Sequence, residues 1–283
     1  MRIFAIADLH VDHLPNWQWL MQLSTQDFQE DVLLVAGDVT DRIDLLIKTF
    51  EQLLQRFRYV FYVAGNHDLW IRRSAFKDSW QKLQHILGVC HQLGVFTQSR
   101  LLRGHTGSVW VIPLWSWYLK PEDGPGSLFL PKPGEDSSLS MWADNYHIRW
   151  PSAYNNREVV QQLYHYNARQ IPPKPEAPVV TFSHFLPRQE LIFPDNFTPD
   201  HHSVHDRFPQ FNFSRVAGCW QLDHQLREAA ATLHFYGHQH RNRDRIIEGV
   251  RYISHCLGYP AERDYLGVGT VAPLLIWDTE NPF

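Results

Sequence analysis

Seven side chains stand out by type and spacing: Asp8, His10, Asp38, Asn66, His184, His238 and His240. Each follows closely on an apolar run. Asp8-Leu9-His10 closes the run at 3–7, and Gly37-Asp38-Val39-Thr40-Asp41-Arg42 closes the run at 32–36. Gly65-Asn66-His67-Asp68 closes 59–64, His184 follows 179–183, and Gly237-His238-Gln239-His240 follows 232–236. Carboxylate oxygen, amide oxygen and neutral imidazole are ligands for divalent manganese, iron or zinc. Asp8 and His10, at i and i+2, share one side of an extended segment, as do His238 and His240. A carboxylate can bridge two ions. These seven residues therefore suffice for two shells of four ligands with Asp38 shared. Gly37, Gly65 and Gly237 permit tight turns and close approach beside the ions.

The elements that must position them follow from periodicity. Apolar runs at 3–7, 32–36 and 59–64 read as buried strands. Segments 14–23, 45–57 and 76–93 carry apolar residues at helical spacing. Strand, helix, strand, helix, strand predicts a parallel sheet with crossover helices. Such sheets collect their working residues at the carboxyl ends of the strands. Further strands are expected at 109–114, 179–183, 232–236, near 246–253 and at 273–277, with helices at 156–169 and 218–230. Between them, residues 115–178 are rich in proline and aromatic residues, without a clear period. They read as an insertion or cap on one domain spanning 1–283. Its Trp115, Trp117, Tyr118, Trp142, Tyr146, Trp150 and Tyr154 are expected to form a small satellite core, or aromatic faces for a nucleobase or acyl chain.

Composition bounds the function. The 283 residues carry 26 Lys+Arg against 30 Asp+Glu, a net charge of −4, which does not suggest broad nucleic-acid binding. Three cysteines, an odd number without a Cys-x-x-Cys pair, point to buried thiols in a reducing, cytoplasmic setting. No stretch approaches the ~18 apolar residues of a membrane span. Histidine is heavily used, at 17. His13 and His255 read as solvent-facing or as supporting the ligands. His201, His202 and His205 read as a solvated loop near the site, or as a lining of its cleft.

The ordered set Asp-x-His, Gly-Asp-x-x-Asp, Gly-Asn-His-Asp, a lone histidine after a strand, and Gly-His-x-His resembles the calcineurin-like metallophosphoesterase superfamily. The motifs run from Asp8 to His240. The resemblance implies a four-layer α/β/β/α sandwich and a dinuclear metal site. It implies Asp8, His10, Asp38 and His240 around one ion, and Asp38, Asn66, His184 and His238 around the other. It also implies that His67 is an acid near the scissile bond rather than a ligand.

The expected chemistry is hydrolysis of a phosphomonoester or phosphodiester. Two divalent ions set against Asp8 and Asp38 leave a net charge of about +2, which favours a phosphate anion. A hydroxide bridging the ions, with manganese favoured, would attack phosphorus in line. His67 would protonate the leaving alkoxide, with Asp41 orienting its ring. Asn66 and Arg42 would contact the phosphate, Arg42 through its planar fork. Asp68 is read as capping the following turn. The competing expectation is a scaffold of the same fold that binds metal or partners without catalysis. Substrate identity and oligomeric state are not legible.

Overall fold

The structure, a computed structural model, describes residues 1–72, 74–120, 126–173, 175–194, 208–266 and 271–280. The first three apolar runs form parallel strands β1 (Arg2–Ile6), β2 (Val32–Ala36) and β3 (Tyr59–Val63). Every residue of β2 is buried, as an unbroken apolar run predicts for a strand covered on both faces. Helices α1 (Leu14–Gln22) and α2 (Ile43–Leu54) are the crossovers, and α3 (Ser79–Leu93) follows β3. α2 buries Leu46, Thr49, Phe50 and Leu53, a single stripe at helical period. α3 starts at Ser79 rather than at 76, because the Asp78 side chain caps it by accepting from the Gln81 amide.

The second sheet contains β4 (Arg100–Arg103), β5 (Ser108–Pro113), β6 (Val179–Phe182), β7 (Leu233–Tyr236), β8 (Arg243–Ile247) and β9 (Val250–Ser254). Its order is β4-β5-β6-β7-β9-β8, with β5, β6, β7 and β9 parallel. The first sheet is completed by β10 (Leu274–Asp278), antiparallel to β1, in the order β10-β1-β2-β3. Between the chain's middle strands lie α4 (Asp144–His147), α5 (Asn156–Ala168) and α6 (Trp220–Glu228), and α7 (Pro260–Leu266) precedes β10. Asn167 of α5 donates to the Trp115 carbonyl at 2.8 Å and to Gln225 of α6 at 2.9 Å, locking this helical layer onto the end of β5. The two sheets share one apolar core and are flanked by helices, the four-layer α/β/β/α arrangement.

Two expectations change in detail. The run near 246–253 is a hairpin, not one strand. Glu248 (φ 49°) and Gly249 (φ 81°) both adopt the left-handed conformation that a tight two-residue turn requires. β4 was not expected, because Arg-Leu-Leu-Arg alternates poorly. It is an edge strand whose arginines face solvent. Within 115–178, Trp115, Trp117 and Tyr118 are buried, and Trp142, Trp150 and Tyr154 pack half-buried on the core. Of the seven aromatics only Tyr146 is exposed, so this segment builds core rather than presenting an open aromatic face.

Candidate metal centre

Side-chain donors from five strand ends converge where the two sheets meet. One atom each from Asp8, His10, Asp38 and His240 lie within 4.8 Å of one another, and so do atoms from Asp38, His184 and His238. Asp38 belongs to both groups. Asn66 joins the second, its Oδ1 3.2 Å from His184 Nε2. All seven expected ligands are therefore brought together. Backbone contacts hold the loops in register: Asp8 N donates to Gly37 O at 3.0 Å, His10 N to Asp38 O at 2.9 Å, and Gly237 N to His184 O at 3.0 Å.

The local backbone is unusual. Eight described residues other than glycine have positive φ, and five of them are Asp8, His10, Asp38, His238 and His240. This region costs a non-glycine residue about 1 kcal/mol or more. The chain accepts that cost to aim these side chains inward. Gly37 (φ 79°) could carry no side chain, since a Cβ there would lie 2.5 Å from Gly65 N and 2.6 Å from His184 Nδ1. At Gly65 a Cβ would collide with the Asp38 carboxylate. Asp68 does more than cap a turn. Its carboxylate accepts from the backbone amides of Asp38, Val39, Thr40 and Gly65 at 2.8–3.0 Å, tying the β2 and β3 loops together.

The donor set fits cations. The outer nitrogen of His184 (Nδ1) meets the Ala36 carbonyl at 2.8 Å, and that of His238 (Nε2) meets the Val216 carbonyl at 2.9 Å. A carbonyl only accepts, so each of these nitrogens carries the proton and the inner nitrogen presents a lone pair. Asn66 is oriented likewise: its Nδ2 donates to Asp144 Oδ1 at 2.9 Å, which turns Oδ1 inward. Lone pairs on His184 Nε2, His238 Nδ1 and Asn66 Oδ1 then face one another at about 3.2 Å with no proton between them. That arrangement repels itself unless a cation is shared.

Burial, then the charge of neighbouring imidazoles, pushes His10 and His67 well below the ordinary histidine value. Burial and neighbouring His184 do the same to His238. Burial and the charges of Asp68 and Asp8 push Asp38 well up. His240 differs. Burial opposes its charge, but Asp8 and Glu262 outweigh burial and raise it to about 10. Its Nδ1 lies 2.6 Å from Glu262 Oε2, leaving Nε2 for the cluster. Imidazoles kept neutral at His10, His184 and His238, beside an Asp38 carboxylate whose charge burial disfavours, suit a divalent cation, which would supply the missing positive charge.

His67 stands beside the cluster. Its Nε2 is 3.9 Å from Asp38 Oδ2, and its side chain is 18% exposed. Its ring stacks on Trp70 at 3.6 Å, and the Tyr259 hydroxyl lies 3.1 Å from Nε2. The expected pairing with Asp41 is corrected here. The Asp41 carboxylate accepts from Arg72 Nε at 2.5 Å, and no described contact joins it to His67. The Arg72 guanidinium lies 4.7 Å from the Trp70 ring, so Asp41 reaches His67 only through two intervening side chains. Arg42 is half-exposed and forks onto Asp44 at the start of α2. It borders a cavity of about 350 Å³ lined also by Ser74, Phe76 and His85, and no described contact turns it toward the cluster.

Sequence reasoning missed three supporting residues. Asp144 lies in the segment that matched no motif. Besides Asn66 it accepts from Trp70 Nε1 at 2.6 Å and Tyr118 Oη at 3.1 Å, and burial raises its pKa to about 6. Glu262 and Tyr259 come from the C-terminal region, where no local pattern announces them. His13 is 44% exposed, with its Nε2 3.9 Å from Asp12 and its ring against Tyr259, and His255 bonds the Ala272 carbonyl. His201, His202 and His205 lie outside the described residues.

Two helix-flanked sheets with such a cluster at their strand ends define a class, the metal-dependent hydrolases of phosphoric esters. The sequence model for calcineurin-like phosphoesterase matches residues 1–242. The chain belongs to that family and is a phosphoric ester hydrolase. It is similar to an [acyl-carrier-protein] phosphodiesterase of Mycobacterium tuberculosis, 25% identical over 92% of this chain and 78% of that protein. Among solved structures it resembles the phosphopantetheinyl hydrolase from Mycobacterium tuberculosis, with a TM-score of 0.76, 21% identity and coverage of 100% and 98% of the two chains. No described helix is long and apolar enough to cross a membrane.

Proposed function

We propose that the chain is a dinuclear metal-dependent phosphodiesterase that releases a phosphopantetheinyl group from a carrier protein. Asp8, His10, Asp38 and His240 hold one ion, and Asp38, Asn66, His184 and His238 hold the other. The observation that carries this reading is the sharing of Asp38 between two converging donor groups. When bound, the ions supply an activated water and a clamp on the phosphoryl oxygens. The chain's own part is to keep His10, His184 and His238 neutral, to turn the Asn66 oxygen inward, and to hold His67 at the edge of the cluster. From there His67 gives its Nε2 proton to the leaving oxygen. The carrier-protein substrate is argued from the relative's name and from likeness over nearly the whole chain. Manganese suits the mixed oxygen and nitrogen donors. Three buried free thiols support a cytoplasmic setting.

The test incubates the manganese-loaded protein with a phosphopantetheinylated acyl carrier protein and follows the carrier's mass. Loss of the phosphopantetheinyl mass is expected, and Asp38→Asn and His67→Ala should abolish it. Metal binding and diester turnover with an intact carrier would keep the enzyme class but reject this substrate. Bound metal without turnover of any mono- or diester would reject the reading altogether.

A further inference from the structure

The Asp41-Arg42 pair singled out in the sequence serves neither His67 nor the metal cluster, and its surroundings show another use. Asp41 is 3% exposed. One carboxylate oxygen, Oδ2, accepts from Arg72 Nε at 2.5 Å, and the other, Oδ1, has no hydrogen-bond partner. A buried carboxylate oxygen left unpaired is costly and calls for a donor. Asp41 lines the cavity of about 350 Å³, together with Arg42, Ile43, Ser74, Phe76 and His85. Arg42 holds Asp44 through Nε and Nη2, which leaves Nη1 to donate. Ser74 Oγ donates to the Ile71 carbonyl at 3.2 Å, so toward a ligand it accepts.

We propose that this cavity is a subsite for the pantetheine arm of the substrate. The inference rests on the phosphopantetheinyl reading above. The arm is an alkyl chain interrupted by two amides, with a branched apolar head next to the phosphate. An amide needs an acceptor for its N–H and a donor for its carbonyl. Asp41 Oδ1 and Ser74 Oγ supply the first and Arg42 Nη1 the second, while Ile43 and Phe76 receive the apolar stretches. The position agrees. Asp41 follows the shared ligand Asp38 by three residues, so their Cα atoms are at most ~11 Å apart. The arm, joined to phosphorus through one oxygen, is longer than that when extended. Arg72, whose side chain is 30% exposed, lies between the Trp70 ring and Asp41, and is the surface that the arm crosses.

Turnover by the manganese-loaded protein is compared on two esters with the same leaving group: methyl para-nitrophenyl phosphate, and the ester that carries pantetheine in place of methyl. Wild type should show the lower KM on the pantetheinyl ester. Ala75→Trp fills the cavity from its exposed side, and Asp41→Asn turns one acceptor oxygen into a donor. A hydrogen bond to a charged group is worth about tenfold or more in affinity, so each variant should raise KM about tenfold or more on the pantetheinyl ester. On the methyl ester the rise should stay under about threefold, with kcat kept on both. In titration calorimetry, phosphopantetheine should bind wild type more tightly than inorganic phosphate does, and Ala75→Trp should erase the difference. If wild type prefers the pantetheinyl ester and both variants keep that preference, the subsite is overturned while the substrate reading stands. Equal losses on the two esters would overturn it too, because the effect would then come through the metal loops. If wild type shows no preference between the esters, the substrate reading falls and this inference with it.

Discussion

Asp144 shows how much one residue outside any motif can decide. An amide side chain offers two ends that differ only in hydrogen bonding. Asn66 presents oxygen inward because Asp144 takes its nitrogen. The carboxylate can do so because Trp70 and Tyr118 also donate to it, which holds it in one place. We expect Asp144→Ala to free the Asn66 amide and weaken metal binding at the Asp38, His184 and His238 group. Removing such an outer partner costs on the order of 10–100-fold in metal affinity. Titration calorimetry and metal analysis would measure it. Wild-type affinity at both sites would refute the orienting role.

At the scale of elements, the working loops are placed by strands that share hydrogen bonds, and the strands depend on buried polar details of their own. His234 lies in β7, fully buried between Thr181 and Ser183 of the β6 side. Thr181 Oγ1 is 2.8 Å from Nδ1 and Ser183 Oγ is 3.0 Å from Nε2. Ser183 Oγ already donates to the Phe185 carbonyl, so it accepts from Nε2–H, and Nδ1 accepts from Thr181. The ring is satisfied as a neutral group, and burial lowers its pKa to about 3. An unfolded histidine titrates near ~6.5. Between those values the unfolded chain binds a proton that the native chain refuses. This contribution to stability is therefore complete above about pH 6.5 and is lost as pH falls toward 3. In urea melts, His234→Gln should flatten the decline of stability between roughly pH 6.5 and 4 relative to wild type. Parallel declines would show that His234 is not a source of acid sensitivity.

Over the whole molecule, the site exists only because two sheets meet. Asp8, His10, Asp38 and Asn66 come from the first, and His184, His238 and His240 from the second. Metal bound there stabilises the folded state alone, since the unfolded chain scatters the donors. At a hundredfold excess over Kd that linkage is worth about 3 kcal/mol for one site. For a chain of this size, a kcal/mol moves the melting temperature by roughly 2–4 °C. Chelation should therefore lower the melting temperature by about 5–10 °C in calorimetry, and manganese should restore it. A melting temperature indifferent to chelator would rule out a pair of buried ions. The cap idea is narrowed at this scale too. Deleting residues 120–150 would remove Asp144 along with any substrate face, so changed turnover would not by itself identify a cap.

Much of this was legible along the chain because the information is local. An apolar run followed by Asp, Asn or His marks a buried strand and its working end. A glycine beside the ligand marks close approach, as the crowding at Gly37 and Gly65 bears out. The strand–helix alternation and the seven converging donors were therefore readable from Asp8 to His240. What surrounds those donors was not. Asp41 turned to Arg72 rather than His67, the Tyr259 hydroxyl reached the His67 ring from nearly two hundred residues away, and Asp144 entered from an irregular segment. The strain at five of the proposed ligand positions also has no local signature, because Asp and His adopt positive φ only where the fold over-determines them. Residue type and spacing determined which atoms could bind metal. Only tertiary packing decided which partner each polar group found, because a hydrogen bond is chosen by distance and angle in space and not by separation in sequence.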